Sequence, residues 1–357
     1  MNTAPDLDAI HGLAPVIDAL PGEQVPYAVA SGEGLRYEID NQLWTVIARA
    51  SDTGGLFDAA FVLGPRGAGS GFHSLADHQR SYYVFAGLAQ FWLPGESRIL
   101  GVGDSVHVPP GTPVAYRMLG HQTKLLMWCA PGGALDALHT SGGAVDSRVY
   151  SADGKAGVVV TTGQVLVPGP ALLQDLPMIA ASDAWDDVLP DGVEGYFLRA
   201  HTGDNREWPD SMNSIGARGR NTGGRYFSVL TAGAKAPYIP QHFHRLHTEN
   251  FFCLSGRVWL YANGTERLLT EGDFVHAPAG TVHSFAFDAH NTRMLGMLTS
   301  DVFEPFFDIT GVATENAVYT EGLVDPGFLM SKLGDLADLD VQFVGPPPTR
   351  VQASDLR

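Results

Sequence analysis

Short apolar runs, many alternating with polar residues, follow one another along most of this chain. Glycine, proline and aspartate separate them, as is typical of antiparallel strands joined by turns. Helical spacing is found mainly in residues 7–20 and 326–339. We therefore expect an all-β protein with a few short flanking helices. Representative runs are FDAAFVLG (57–64), RSYYVFAG (80–87), ENFFCLSG (249–256), RVWLYANG (257–264) and HSFAFDAH (283–290).

The turn residues of the first half recur in the second half at an offset of 169 positions, without a gap. Most of them are residues that a backbone turn requires, so they persist where other positions have diverged. The repeat predicts two copies of one β scaffold. The corresponding pairs include Thr53-Gly-Gly with Thr222-Gly-Gly, Gly87 with Gly256, Gly103-Asp104 with Gly272-Asp273, Pro109 with Pro278 and Gly111-Thr112 with Gly280-Thr281.

The length of 357 residues is sufficient for two barrels with separate cores. A Gly-, Ala- and Asp-rich stretch lies between them and is expected to connect them. The predicted segments are an N-terminal extension (1–20), a first barrel (21–145), a connecting segment (146–190), a second barrel (191–310) and a C-terminal helical segment with a tail (311–357).

The formal net charge of −17 argues against nucleic acid or an anionic membrane as a partner, since both would repel the protein. Cys129 and Cys253 form no C-x-x-C or zinc-knuckle spacing, which is typical of a reduced compartment. The N-terminus has neither a basic n-region nor a long apolar run. A cytoplasmic protein without a membrane span is the expectation.

One cluster carries the candidate chemistry. His242 and His244 are alternate residues and would share one face of a strand, Glu249 follows five positions later, and His283 comes just after a Pro-x-Gly turn. Three imidazoles and a carboxylate suit iron, manganese, nickel, cobalt, copper or zinc. We predict that His242, His244, Glu249 and His283 bind one divalent transition metal.

The spacing of these residues resembles the paired signature motifs of cupins. Since the scaffold occurs twice, the chain is similar to bicupins, which implies two tandem jelly-roll barrels (double-stranded β-helices). One departure is Phe287, which stands where the general motif often has asparagine. The two motifs read His242-x-His244-x4-Glu249-x6-Gly256 and Gly272-x5-Pro278-x-Gly280-x2-His283.

Longer phrases resemble flavonol 2,4-dioxygenases of the quercetinase type over residues 21–307. They include PYAVASGEGLRY, HTENFFCLSG, GTVHSFAFDAHNTRMLG and DVFEPFF. The resemblance implies cleavage of the ring of a flavonol such as quercetin by dioxygen, with release of carbon monoxide. It also implies that Glu249 is catalytic and takes the proton of the flavonol 3-hydroxyl. The alternative is that Glu249 is only a fourth metal ligand.

The first half departs from the metal-binding pattern. At the offset of 169, His242 corresponds to His73, but the other three positions hold Leu75, Arg80 and Val114. An arginine at such a site would repel a cation. The first barrel is therefore predicted to bind no metal, and either supports the second barrel or holds an organic ligand among His73, Arg80, Tyr82 and Tyr116.

Strand parity predicts the lining of a substrate pocket. Phe251 shares a face with Glu249, and Phe285 and Phe287 share a face with His283. An apolar, aromatic pocket suits a flat substrate. His247 lies near the cluster and is predicted at the edge of the site, with metal ligation by it left open.

Two other functions fit the same residues. A cupin isomerase, cyclase or decarboxylase would use the metal as a Lewis acid on an aromatic natural product, would run without oxygen and would tolerate zinc. A non-catalytic protein would bind metal or flavonoid without turnover. The sequence does not choose among the metals, and it leaves a homodimer as an open expectation, because related scaffolds often dimerise.

Overall fold

The computed structural model describes residues 14–39, 41–136, 138, 143–151, 159–161, 164–166, 180–184 and 186–349. Strands predominate in this part of the chain, and its helices are short. The predicted all-β class is thereby confirmed. None of the described helices is long and apolar enough to cross a bilayer.

Most strands of the first half form two antiparallel sheets around one apolar core. The strands are β1 (Tyr27–Val29), β2 (Leu35–Ile39), β3 (Gln42–Ala48), β4 (Asp58–Gly64), β5 (Gly69–His73), β6 (Gln79–Ala86), β7 (Ala89–Leu93), β8 (Glu96–Leu100), β9 (Ser105–Val108), β10 (Val114–Met118), β11 (Thr123–Ala130) and β12 (Gly143–Ala144). A short hairpin of β13 (Val159–Thr161) and β14 (Gln164–Leu166) follows.

The second half repeats this arrangement. Its strands are β15 (Tyr196–Leu198), β16 (Asp204–Glu207), β17 (Ser211–Ala217), β18 (Tyr226–Gly233), β19 (Gln241–Phe243), β20 (Glu249–Ser255), β21 (Val258–Ala262), β22 (Thr265–Leu269), β23 (Phe274–Ala277), β24 (His283–Phe287), β25 (Thr292–Thr299), β26 (Val312–Ala313) and β27 (Gln342–Gly345). The larger sheet has the order β1-β23-β20-β25-β18-β17-β16-β26, and the smaller has the order β22-β21-β24-β19-β27.

The sheets of the first half have the orders β12-β2-β3-β4-β11-β6-β9-β15 and β5-β10-β7-β8. Each half therefore contributes one strand to the other: β1 pairs with β23, and β15 pairs with β9. A shared apolar core lies between the halves, with Trp128 and Phe274 among its members. The exchange is reciprocal, as expected for two copies of one scaffold. The predicted domain ranges stay a prediction. The first strand of each barrel range pairs with a strand of the other barrel.

A pair of glycines shows why the turn residues persisted. Gly87 and Gly256 adopt φ angles of +82° and +80°, in the left-handed region that favours glycine. A Cβ atom added to Gly87 would lie 2.9 Å from Cα of Thr123, and one added to Gly256 would lie 2.8 Å from Cα of Thr292. Because backbone atoms cannot yield as a flexible side chain can, both copies of the turn require glycine.

The helices are short and peripheral. They are α1 (Ala50–Thr53), α2 (Gly219–Thr222), α3 (Glu304–Thr310), α4 (Pro326–Ser331) and a 3-10 turn (Leu333–Leu336). The prediction of helix over 326–339 is confirmed, although it is divided into two short pieces. The prediction over 7–20 is wrong for residues 14–20, which are not helical because Ile17 forms a bridge with Tyr27. Residues 7–13 lie outside the described residues.

Candidate metal centre

Two paired strands bring the first and last predicted ligands together. His242 in β19 lies directly opposite His283, the first residue of β24. Their ring centroids are 4.4 Å apart. His244 follows the end of β19, and Glu249 begins β20 in the facing sheet. The sandwich of two sheets therefore brings residues that are distant in sequence to one point.

The tips of these four side chains converge. Nε2 of His283 lies 2.9 Å from Oε2 of Glu249, and Nε2 of His244 lies 3.5 Å from Oε1 of the same carboxylate. One donor atom from each of His242, His244, Glu249 and His283 lies within 4.8 Å of the others. All four residues are at most 9% exposed. The group thus has the type, number and spacing of ligands that a single divalent ion requires.

The second nitrogen of each ring fixes the tautomer. Nδ1 of His242 lies 2.9 Å from the carbonyl oxygen of Pro240, and Nδ1 of His283 lies 2.9 Å from that of Thr281. His244 makes the corresponding hydrogen bond to the carbonyl oxygen of Asp340. A carbonyl oxygen only accepts, so each Nδ1 carries the proton and each neutral ring presents a lone pair on Nε2. Backbone anchors of this kind are typical behind metal-binding histidines.

This tautomer creates a group of acceptors that a cation would satisfy. The lone pairs of the Nε2 atoms face the carboxylate of Glu249, which also only accepts when ionised. Nε2 of His244 is buried and has no hydrogen-bond partner within the described structure. A metal ion among these atoms would resolve both the repulsion and the unsatisfied nitrogen. The residues therefore fit a divalent transition metal.

The electrostatic environment favours the protonation states of ligands. Burial, followed by the neighbouring histidines, holds the pKa of His242 well below its usual value. Burial lowers the pKa of His244 to about 4. Burial alone would raise the pKa of Glu249, but the adjacent histidines, when protonated, outweigh burial and hold that pKa well below its usual value. Neutral imidazoles beside an ionised carboxylate are the forms that bind metal.

His247 lies behind the cluster. Its Nδ1 is 2.8 Å from Oδ2 of Asp340, and its ring stacks on Phe303 with centroids 4.9 Å apart. Its Nε2 lies 3.9 Å from Oε1 of Glu249. His244, His247 and Asp340 form a second group of donors close enough to share an ion, so ligation by His247 stays open.

Asp340 is the residue that the sequence analysis missed. Its carboxylate accepts hydrogen bonds from the backbone N–H groups of Arg245 (2.9 Å) and Leu246 (2.8 Å), as well as contacting His247. Its carbonyl oxygen anchors His244. One residue of the C-terminal segment therefore fixes the loop between β19 and β20. A lone aspartate nearly 100 positions from the motif gave no signal in the sequence.

A cavity of about 260 Å³ opens beside the cluster. His242 and Glu249 form part of its wall, and almost all its other lining groups are apolar. Phe251 and Phe285, both predicted from strand parity, line it. The sequence analysis did not find the remaining aromatic lining residues, which are Trp208, Phe303, Phe306, Phe307 and Phe343.

Phe287 and His247 are not among the residues that line this cavity. Phe287 is buried in the core of the barrel, with its ring 5.8 Å from that of Phe285. His247 is fully enclosed between Asp340 and Phe303. Parity places Phe287 on the correct face, but it lies one step further along β24 than the cavity reaches. Substrate binding by any of the four residues stays a prediction.

The equivalent place in the first barrel has a different composition. His73 lies opposite Val114 in the register of β5 and β10, as His242 lies opposite His283. Leu75 and Val114 belong to the apolar core, and Arg80 is fully buried. Within the described residues, the candidate metal-binding groups all lie in the second barrel and the C-terminal segment that packs on it. The prediction that the first barrel binds no metal has not been tested directly.

Comparison with known proteins agrees with this geometry. Residues 228–295 match the cupin domain family. Quercetin 2,3-dioxygenase of Bacillus subtilis (strain 168) is 34% identical over 304 residues, which are 84% of this chain and 90% of that protein. Quercetin 2,3-dioxygenase of Aspergillus japonicus is 27% identical over 157 residues, which are 41% of this chain and 43% of that protein.

Solved structures support the fold. A variant of oxalate decarboxylase from Bacillus subtilis aligns with a TM-score of 0.52 at 14% identity, over 93% of this chain and 90% of that chain. The protein Ylba from E. coli aligns with a TM-score of 0.52 at 10% identity, over 83% and 98% of the two chains. At such low identity these similarities concern the fold alone. The predicted architecture of two tandem cupin barrels is confirmed.

Proposed function

Because this chain belongs to the bicupin family of quercetin 2,3-dioxygenases, we propose that it opens the ring of a flavonol such as quercetin. The co-substrate is dioxygen, and carbon monoxide is released. The metal is one divalent ion of iron, manganese, nickel, cobalt or copper, held by His242, His244, Glu249 and His283. The family supports a metal-dependent cupin enzyme, and the flavonol substrate is our proposal.

The observation that carries this proposal is that Glu249 belongs to two sites at once. Its carboxylate belongs to the group of metal-binding donors and also forms part of the wall of the aromatic cavity. A substrate in the cavity would therefore present its hydroxyl group to a carboxylate and to the metal position together.

The residues divide the work as follows. When bound, the ion lowers the pKa of a coordinated hydroxyl and, if redox-active, assists electron transfer to dioxygen. Glu249 is ionised and accepts the proton of the flavonol 3-hydroxyl, because a bound ion would lower the pKa of that hydroxyl and so offset the weak basicity of the carboxylate. Phe251 and Phe285 orient the ring system. The apolar wall excludes water, which protects an electron-rich anion from reprotonation.

The cavity also argues against a small dianion as substrate. Its lining includes no arginine or lysine, and its polar groups are few. A doubly charged acid would lose its hydration there, with only the bound ion to compensate. A flat aromatic molecule would instead gain from burial of its apolar surface.

The test is metal reconstitution followed by quercetin turnover. The purified protein is stripped and reloaded separately with each of the five metals and with zinc, and then quercetin absorbance, oxygen uptake and carbon monoxide release are measured. We expect coupled loss of quercetin and oxygen. Glu249→Gln keeps the shape of the side chain but removes the base, so turnover should fall by about 100- to 10,000-fold. Glu315→Gln, at an exposed position, is the matched control.

Three outcomes would contradict the proposal. No oxygen uptake with any of the metals would exclude a dioxygenase acting on this substrate. Conversion under nitrogen, or with zinc, would instead indicate that the metal acts as a Lewis acid. Tight binding of quercetin without any turnover would indicate a binding protein.

A further inference from the structure

The first barrel encloses an arginine whose charge is only partly satisfied. Arg80 begins the inward face of β6, at the position that Glu249 occupies in the second barrel, and is fully buried. Its Nη2 donates to the carbonyl oxygens of Thr112 (2.8 Å) and His73 (3.5 Å). Its Nε and Nη1 are buried and have no hydrogen-bond partner within the described structure. A guanidinium stays charged at every working pH, so the three N–H groups on these two nitrogens of a permanent cation have no carbonyl or carboxylate acceptor.

Within the described residues, no carboxylate forms an ion pair with Arg80 to supply the missing negative charge. Cys129 lies between Asp58 and Arg80 across three adjacent strands, so the Cα atoms of Asp58 and Arg80 are two strand spacings, or about 10 Å, apart. Oδ2 of Asp58 instead accepts hydrogen bonds from the backbone N–H groups of Gly133 (2.7 Å) and Leu135 (2.9 Å). Burial raises the pKa of the Cys129 thiol well above its usual value, so it stays uncharged.

A second unpaired donor faces the same interior. Tyr82 is two residues beyond Arg80 on β6 and therefore shares its face. Its hydroxyl is buried, lies within hydrogen-bonding reach of the Arg80 guanidinium and donates to no acceptor within the described structure. Burial raises the pKa of Tyr82 to about 12, so the hydroxyl keeps its proton and can donate it. His73 does not add to this group, because its Nδ1 contacts the carbonyl oxygen of Gly71 (3.0 Å) and its Nε2 therefore carries a lone pair.

The side chains that pack around these donors limit the size of a ligand. Leu75 and Val114 are part of the packed core, where the second barrel has ligating histidines. The rings of Tyr82, Phe91 and Tyr116 pack together with centroids between 5.4 and 6.0 Å apart. This packing argues against an organic ligand larger than formate in the site that the sequence analysis left open.

We propose that the first barrel binds one small monovalent anion, of the size of a halide or formate, on Nε and Nη1 of Arg80 and the hydroxyl of Tyr82. The anion replaces the ion pair that Arg80 lacks, since an unpaired buried charge is strongly unfavourable. The site is the electrostatic inverse of the candidate metal centre. One barrel uses a carboxylate to hold a cation, and the other uses a guanidinium to hold an anion.

Two measurements on the full-length protein test this proposal. In the first, crystals are soaked in bromide, and we expect an anomalous peak within hydrogen-bond distance of Arg80. In the second, Tm is measured in a buffer whose only anion is too large to enter the barrel, while bromide or formate is added. We expect a rise of several degrees that saturates, as specific binding to the native state requires.

The variants separate specific binding from a general salt effect. Arg80→Met removes the charge and keeps an unbranched side chain, and it should abolish the saturable rise. Arg66→Met removes the charge of an exposed arginine and should respond as the wild type does. The formate arm distinguishes a carboxylate from a halide, because the anion that binds should give the half-maximal rise at the lower concentration.

The proposal would be overturned if no bromide peak lies beside Arg80, or if the wild type and Arg80→Met respond equally to both anions. Should Arg80→Met fail to fold, the bromide peak and the wild-type titration decide the question alone. Neither readout depends on turnover, so the result is independent of the proposed dioxygenase activity.

Discussion

The two barrels have the same backbone at the candidate site and opposite chemistry within it. In the second barrel, His283 lies opposite His242, and the carboxylate of Glu249 completes the group. In the first barrel, Val114 lies opposite His73 in the equivalent register. The strand pairing therefore provides only a position at which side chains can meet. Whether that position attracts a cation depends on the side chains alone.

The apolar interiors differ as well. Phe91 of the first barrel corresponds to Leu260 of the second at the same offset of 169 positions. Phe91 packs against both tyrosines of its barrel and fills the interior. Leu260 is smaller and belongs to the core beside Phe251 and Phe285, both of which line the cavity. The aromatic pairs themselves correspond as Tyr82 with Phe251 and Tyr116 with Phe285.

The largest predicted effect is the loss of metal when the carboxylate of the second barrel is replaced by the guanidinium found in the first. In Glu249→Arg, a guanidinium replaces the carboxylate among three histidines. At 4 Å and an effective dielectric constant of about 20, the repulsion between two unit charges is about 4 kcal/mol, and a dication doubles it. We expect bound metal, measured by elemental analysis, to fall from one ion per chain to background, and turnover to disappear.

Glu315→Arg makes the same charge change at an exposed position and should keep its metal. Circular dichroism checks that both variants are folded, and Arg80 shows that the scaffold accommodates an arginine at this place. Full metal content in Glu249→Arg would mean that the ion is held elsewhere, for example by the group of His244, His247 and Asp340.

The sequence predicted those features of the two barrels that depend on residues close together in the chain. His242 and His244 are neighbours on one strand, Glu249 begins the next strand, and the glycine turns fix where each strand ends. The same offset exposed Leu75 and Arg80 as departures. Alternation along a strand also gave Phe251 and Phe285, because residues on the inner face of a barrel strand point to the interior.

The site residues that the sequence did not predict lie far from the motif in the chain. Asp340 and the strand Gln342–Gly345 return to the site from the C-terminal segment, where β27 pairs with β19. Phe303, Phe306 and Phe307 come from helix α3 and the turn before it. The local spacing of apolar residues does not indicate which surface a terminal segment will cover. The limit of the cavity along β24 likewise depends on packing and not on parity.

A change at Asp340 should have an intermediate effect on the second barrel. Asp340→Asn keeps the shape of the side chain but weakens its hold on His247 and on the backbone of Arg245 and Leu246. Loss of a residue that orients metal ligands typically lowers affinity by about 10- to 100-fold. Competition with a chelator would measure this change. The exposed Asp338→Asn is the control and should leave the affinity unaltered; equal affinities in all three proteins would make Asp340 merely structural.

The smallest predicted effect is a difference in KM between variants of two phenylalanines on one strand. Phe285 lines the cavity and Phe287 does not, although both lie on the inner face of β24. Phe285→Leu removes a flat surface that the substrate would contact, so we expect KM for quercetin to rise several-fold with little change in kcat, which is the signature of uniform binding. Phe287→Leu should lower Tm by disturbing the core and leave KM unchanged. If both variants raise KM equally, the cavity is not the substrate site, and the contrast between a filled barrel and an open one loses its functional meaning.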